Sequence, residues 1–314
     1  MIMKKILFSV VCLMMVGMQS VMAQVAIAAL HHEGNVTIYG AAQIQATVDN
    51  AVAGDTIYLS EGVFGGFSVD KSIAVIGAGQ TTNISTAVNV GREESVTTSG
   101  LLLSGMNMLG NLNFYYTADG VKVSKCSILG NVDLDPPTGR DGGSFSNIEI
   151  VSSYVKGEVI LDPRVNSLTV INSKIGNVEY SGNSHGAATF QNCNINKTYV
   201  SSSGSNHNIY INSIIRTTTY STYQNCLLYP DSGVGTKSDC YNATFALDDN
   251  LNCSLSDEEL RSNGYLGTDG TVVGATGGPA PFSLVMPTKQ VTEHNIEVDN
   301  AARRMKVTLK LGNK

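Results

Sequence analysis

The chain has 314 residues, with 20 Lys and Arg against 26 Asp and Glu, a formal charge of −6 at neutral pH, and no tryptophan. An acidic surface repels phosphate backbones and anionic lipids, which argues against nucleic-acid partners and charge-driven membrane binding. The length and the 42% apolar content allow one large core or two smaller ones.

Residues 1–23 read MIMKK, then ILFSVVCLMMVGM, then QSVMA: a basic start, an apolar stretch and small residues before Ala23. That is the form of a secretory signal peptide cleaved near Ala23. The apolar run of about 13 residues is too short for a comfortable membrane span. Cys12 lies inside it without the residues that precede a lipid-modified cysteine. No later segment is apolar enough to insert. The expectation is an exported protein, extracellular, periplasmic or at the cell surface, without membrane insertion. Cleavage leaves Cys126, Cys193, Cys226, Cys240 and Cys253. An odd number leaves at least one thiol free, and no pair of CxxC elements suggests zinc.

Residues 24–39 read as an N-terminal segment, with His31 and His32 in a linker. In 40–261 the chain repeats. It opens with Ile44, Val48 and Val52 at helical spacing, and Gly54 is placed to end that helix. Such a helix would cap the open end of a core. Then LLLSGMNMLGNLNF (from Leu101) aligns with VKVSKCSILGNVDL (from Val121), IEIVSSYVKGEVIL (from Ile148), LTVINSKIGNVEY (from Leu168) and ATFQNCNINKTYV (from Ala188). The step is about 20 residues, lengthened once by the insertion PPTGRDGGSFSN. Each unit holds three short runs of period-two alternation, which put their apolar residues on one face of short strands. Three strands and their turns make one coil, and stacked coils share a core that a lone coil cannot bury. Three inward ladders are predicted: Leu103, Val123, Ile150, Val170 and Phe190; Met108, Ile128, Val155, Ile175 and Ile195; and Leu112, Val132, Val159 and Val178. Tyr180 aligns with inward Leu161 and reads as core. After Val200 the register blurs.

Residues 262–314 contain a Gly/Pro-rich closing segment, GYLGTDGTVVGATGGPAPFSLVMP, and then two strands around Asp299–Ala302 that suggest a C-terminal β-hairpin or a small attachment module.

The run AQIQATVDNAVAGDTIYLSEGVFGGFSVDKSIAVIGAG, ending at Gly79, resembles the N-terminal cap and first coil of pectin-lyase-like proteins. The coils above extend that likeness to about residue 230. The resemblance implies an all-β, right-handed, single-stranded parallel β-helix with an N-terminal capping helix and a small C-terminal β segment. It is specific for fold and open for activity, because the family holds lyases, hydrolases, epimerases and non-catalytic surface proteins. Its lyases imply calcium held by carboxylates and an Arg or Lys base; its hydrolases imply clustered Asp residues. The hydrolase elements Asn-Thr-Asp, Asp-Asp, Gly-His-Gly and Arg-Ile-Lys have no counterpart in the coils.

VDLDP (Val132 to Pro136) stacks on VILDP (Val159 to Pro163), which places Asp135 and Asp162 on neighbouring coils about 5 Å apart. With Asp133 beside them, these carboxylates are the candidate calcium ligands, and Asp135, Asp162 and Arg164 the candidate catalytic set. The same Asp-Pro steps also end strands and start turns, which the coil needs without any ligand. Tyr115 and Tyr116 at a turn, Tyr154 on an outward column, and Arg140 in the insertion are candidate ligand contacts. Lys122 and Glu149 form a surface charge ladder. Cys126 and Cys193 face inward too far apart to bond, while Cys240 and Cys253 are the best-placed disulfide pair.

Three functions compete. The first is a non-catalytic secreted or cell-surface β-helix that binds glycan or protein, as an adhesin or envelope-associated factor. The second is a polysaccharide lyase or hydrolase acting on acidic glycans. The third is an architectural spacer.

Overall fold

The computed structural model describes residues 26–135, 143–180, 188–198, 208–230 and 235–286, and the backbone of 289–299 and 304–313. Residues 1–25, which hold the expected signal peptide, and 136–142, which hold Arg140, lie outside the described residues.

Strands from successive units pair in parallel and in sequence order, so the chain is a parallel β-helix. One long sheet runs from Thr56–Leu59 through Ala74–Ile76, Leu102–Ser104, Lys122–Ser124, Ile148–Val151, Leu168–Ile171, Ala188–Gln191, Ile209–Ile211 and Thr222–Gln224 to Thr236–Ser238. The predicted ladders hold residue by residue. Leu103 pairs with Val123, Val123 with Ile150, Ile150 with Val170, and Val170 with Phe190. Met108 through Ile195 and Leu112 through Val178 do the same in the second sheet. All of these side chains are buried. Each such burial contributes about 1.5–3 kcal/mol. Phe190 begins an aromatic column: its ring stacks on Tyr210 at 4.9 Å and Tyr210 on Tyr223 at 5.1 Å.

The corner between the two sheets explains a recurrent dipeptide. The chain turns there on one left-handed residue per coil: Lys125, Ser152, Asn172, Asn192, Asn212, Asn225 and Asp239, all with φ near 50°. Asn and Asp tolerate this region better than branched residues do. The next residue is Ser or Cys and points inward. There the Cys126, Ser153 and Cys193 amides donate to the hydroxyls of Ser153, Ser173 and Ser213, at 3.2, 3.1 and 3.1 Å. The ladder therefore satisfies polar groups inside an apolar core.

At the N-terminal end, helix α1 (Ile44–Asn50) buries Ile44, Thr47 and Val48. Val52 lies beyond its end and is 50% exposed, because the chain has already left the helix at Ala51. His31 and His32 do not lie in a linker. They belong to a hairpin, Ile27–His32 with Asn35–Gly40, that extends the first sheet by antiparallel pairing with Thr56–Leu59. His32 Nδ1 meets the buried Asp55 carboxylate at 2.8 Å, a tertiary bond that sequence spacing could not show.

Beyond Ile209 the coils shorten in length: Ile209 pairs with Thr222 and Thr222 with Thr236, steps of 13 and 14 residues, with strands such as Ile209–Ile211 and Ile214–Thr217 in one coil and Thr222–Gln224 and Leu227–Leu228 in the next. The chain then doubles back. A strap, residues 243–286, runs along the outside of the corner in two passes, a first that lays Asp249, Leu251 and Asn252 on Tyr154, Asn194 and Lys174, and a second that leaves helix α2 (Asp257–Ser262), capped by the reciprocal Ser256–Glu259 pair, toward the N-terminal coils. Coil by coil, the Thr268 amide donates to Asn212 Oδ1 at 3.0 Å, the Ala275 amide to Asn194 Oδ1 at 2.9 Å, and Asn172 Nδ2 to the Gly277 carbonyl at 2.7 Å. Lys125 Nζ donates to the Ser283 and Val285 carbonyls, and Met286 packs on Gly105, where a Cβ would meet its sulfur. A second apolar cluster forms beneath the strap from Ile214, Leu227, Phe245, Leu260, Val272 and Val273. Strands Lys289–Asp299 and Arg304–Asn313 pair antiparallel as a hairpin. No helix among the described residues is long and apolar enough to cross a membrane.

Candidate functional site

The acidic corner is built as its repeats predict, but its charges are spent locally. Asp162 ends strand Tyr154–Leu161 and is 7% exposed. Its Oδ1 accepts from the Arg164 amide at 2.8 Å and from Arg164 Nε at 2.6 Å, while Oδ2 accepts from Nη2 at 3.0 Å. Arg164 also reaches Asp135 at 3.8 Å. Burial pushes the Asp162 carboxyl up, but the Arg164 hydrogen bonds outweigh it and hold the group below the usual carboxylate range. An ionised, doubly bonded carboxylate is neither a proton donor nor a free base at neutral pH.

Asp133 belongs to a different column. It sits between Asn113 and Ile160 and accepts the Asp135 amide at 2.9 Å. Burial, with the Asp135 charge adding to it, raises its carboxyl above the ordinary value. Asp135 and Asp162 do meet and share Arg164, but Asp133 stands apart, so the three do not present one set of open oxygens, and a cation would have to displace the guanidinium from Asp162. The three do not fit calcium, and no group of three His, Cys, Asp or Glu suited to a metal occurs among the described residues.

The tyrosines divide. Tyr115 and Tyr116 are half-buried; the Tyr115 hydroxyl accepts from Asn113 Nδ2 at 3.4 Å and Tyr116 lies against Gly91. Tyr154 is not an open platform. It does lie on the outward column, but the strap covers it: it is 9% exposed and its hydroxyl donates to the Asp249 carbonyl at 2.9 Å. On the next coil Lys174 is buried in the same way. Its ammonium bonds Asn252 and stands 4.6 Å over the Phe282 ring, and burial pushes its pKa down. Lys174 thus locks the strap. Cys240 and Cys253, the pair best placed if a disulfide were formed, are both free thiols. Cys240 stands in the corner ladder, whereas Cys253 packs against the second cluster. Lys122 and Glu149 pair at 2.7 Å on the surface, as expected.

A site that sequence patterns did not point to lies where the shortened coils meet the strap. Strand Ile214–Thr217 brings Arg216 and Thr217, the turn after Leu227–Leu228 brings Tyr229, and the strap adds Thr244, Phe245, Ala246 and Ser254. Together they line a cleft of about 640 Å³, within the size range of small-molecule sites. Phe245 is buried and fixes the edge-on Tyr229 ring at 5.9 Å, leaving that ring 37% exposed. Arg216 is exposed and donates to Asn196 Oδ1 at 3.3 Å. Ser254 Oγ accepts the Ala246 amide at 2.9 Å and holds the strap wall.

No protein-family model, curated protein or solved structure matches the chain.

The cleft thus combines an aromatic ring, hydroxyl groups and a guanidinium. That set can pack a sugar ring and pair with a carboxylate. Among the described residues, its lining holds no carboxylate or histidine. Its parts come from separate coils and from the strap, and no local motif could have joined them.

Proposed function

We propose that the chain is a secreted, pectin-lyase-like β-helix that binds carbohydrate without cleaving it, and that the cleft at the C-terminal coils is the binding site. The observation that carries this reading is the cleft itself: exposed Tyr229, held edge-on by Phe245, beside Arg216 and the hydroxyls of Thr217, Thr244 and Ser254. Tyr229 supplies the stacking surface for a sugar ring in a protein that has no tryptophan. Arg216 favours an acidic sugar, whose carboxylate it can engage through two donors. The Asp162–Arg164 pairing supports the absence of cleavage, because the best-placed carboxylate is already neutralised.

A glycan array that includes uronate-containing oligosaccharides tests this reading. Retention of acidic glycans is expected, weakened at least about tenfold by Tyr229→Ala or Arg216→Ala and by raised salt. Ultraviolet absorbance from unsaturated uronates, lost on Asp162→Asn, would replace binding with lyase chemistry. Failure to retain any glycan would favour the spacer.

A further inference from the structure

Four of the five described cysteines stand in the corner ladder, and their neighbours differ. Cys126 follows Met106 and precedes Ser153; Cys193 lies between Ser173 and Ser213. Cys226 and Cys240 occupy consecutive rungs. The flanking pairs Gln224–Ser238 and Leu227–Tyr241 are in parallel register. That places the two cysteines opposite each other at the strand spacing of about 4.8 Å, within the Cα separation a disulfide spans. Both thiols meet backbone carbonyls of the same corner, Cys226 Sγ those of Tyr210 and Gln224 at 3.3 Å and Cys240 Sγ those of Tyr223 and Ser238 at 3.4 Å. They differ in access: Cys226 is fully buried and Cys240 is half-exposed.

We propose that Cys226 and Cys240 are a redox pair that closes to a disulfide between two successive coils. The oxidant is a small-molecule disulfide or the disulfide of an oxidoreductase. Cys240, as its thiolate, attacks one sulfur of that disulfide and expels the other as a thiolate. Cys226 then attacks the Cys240 sulfur of the mixed disulfide and expels the second thiolate; its proton passes to a released thiolate. Two protein thiols and one external disulfide become one protein disulfide and two external thiols. Access assigns the order. The adjacent Cys226 side chain also holds the Cys240 thiol below the ordinary range, while burial raises Cys226. The bond would tie strand Leu227–Leu228 to Tyr241–Asn242 where the coils are shortest and the aromatic column ends. It stands on these two residues whatever the cleft binds.

The full chain is incubated with oxidised glutathione, then denatured, alkylated and peptide-mapped. The expected product has lost two thiols and about 2 Da, with the Cys226 and Cys240 peptides joined. Cys226→Ser should trap glutathione on Cys240, whereas Cys240→Ser should leave Cys226 unmodified. A Cys240–Cys253 link, full alkylation of Cys226 and Cys240 after oxidation, or glutathione on Cys226 in the Cys240→Ser variant would overturn the assignment.

Discussion

Asn194 offers the sharpest perturbation of the strap. It is 3% exposed; its Nδ2 donates to the Leu251 carbonyl at 2.9 Å and its Oδ1 accepts the Ala275 amide at 2.9 Å. One amide group thus joins both passes of the strap to a coil. Gly274 approaches so closely that a Cβ would meet Asn194 Oδ1 at 2.6 Å. Asn194→Ala leaves a buried carbonyl and a buried N–H without partners, each worth about 1–3 kcal/mol. The expected loss is therefore about 2–6 kcal/mol, a large part of a typical domain stability of roughly 5–15 kcal/mol. Because a solenoid's stability is largely nearest-neighbour, the loss should be local. Native-state hydrogen exchange should quicken at Gly274 and Ala275 while Val123 and Ile150 stay protected, and urea melting should report the same energy. Unchanged exchange at Ala275, or a loss below about 0.5 kcal/mol, would mean that this bridge does not hold the strap.

Three further outcomes follow from the columns and corners. Ile150, fully buried between Val123 and Val170, should not tolerate Ile150→Asp, which is expected to abolish soluble protein; Glu149→Ala on the outward side should cost about 1 kcal/mol or less, read by thermal melting. Asp133→Asn should stabilise by about 0.5–1 kcal/mol, since burial disfavours the charge and an amide keeps the acceptor for the Asp135 amide while matching Asn113 and Asn89 above it. The folded Asp133 pKa is raised, so this gain should be full above it and vanish as pH falls through it. Asp162 has the opposite sign. Its lowered folded pKa contributes stability above the unfolded value of about 3.9, lost as pH falls through the folded value. Asp162→Asn should cost about 1–3 kcal/mol at pH 7 and progressively less in urea melts as pH is lowered below the unfolded value.

The coils were legible because their period is local: Leu103, Val123, Ile150, Val170 and Phe190 follow from alternation and a step of about 20 residues, and their pairings agree. The acidic corner was legible as a place but not as chemistry. Its outcome rests on the rotamer of Arg164, two residues along, which folds back on Asp162. Tyr154 pointed outward as expected, yet its exposure was decided by Asp249, about 95 positions away. Two signals were present and unused. Ser256 to Glu259 carries a capping box, and Asn-Ser or Asn-Cys recurs at four of the seven corner turns, Asn172, Asn192, Asn212 and Asn225, marking the left-handed turn and the inward ladder. The shortened coils after Ile209 broke the period, and the cleft formed where it broke.

Hydrogen–deuterium exchange of the full chain, with and without an acidic oligosaccharide such as an oligogalacturonate, tests the central claim most directly. Protection should appear at Arg216, Thr217, Tyr229 and the Thr244–Ala246 wall, and not around Asp133, Asp135 and Asp162. Protection centred on the Asp135–Arg164 corner, with the cleft unchanged, would contradict it.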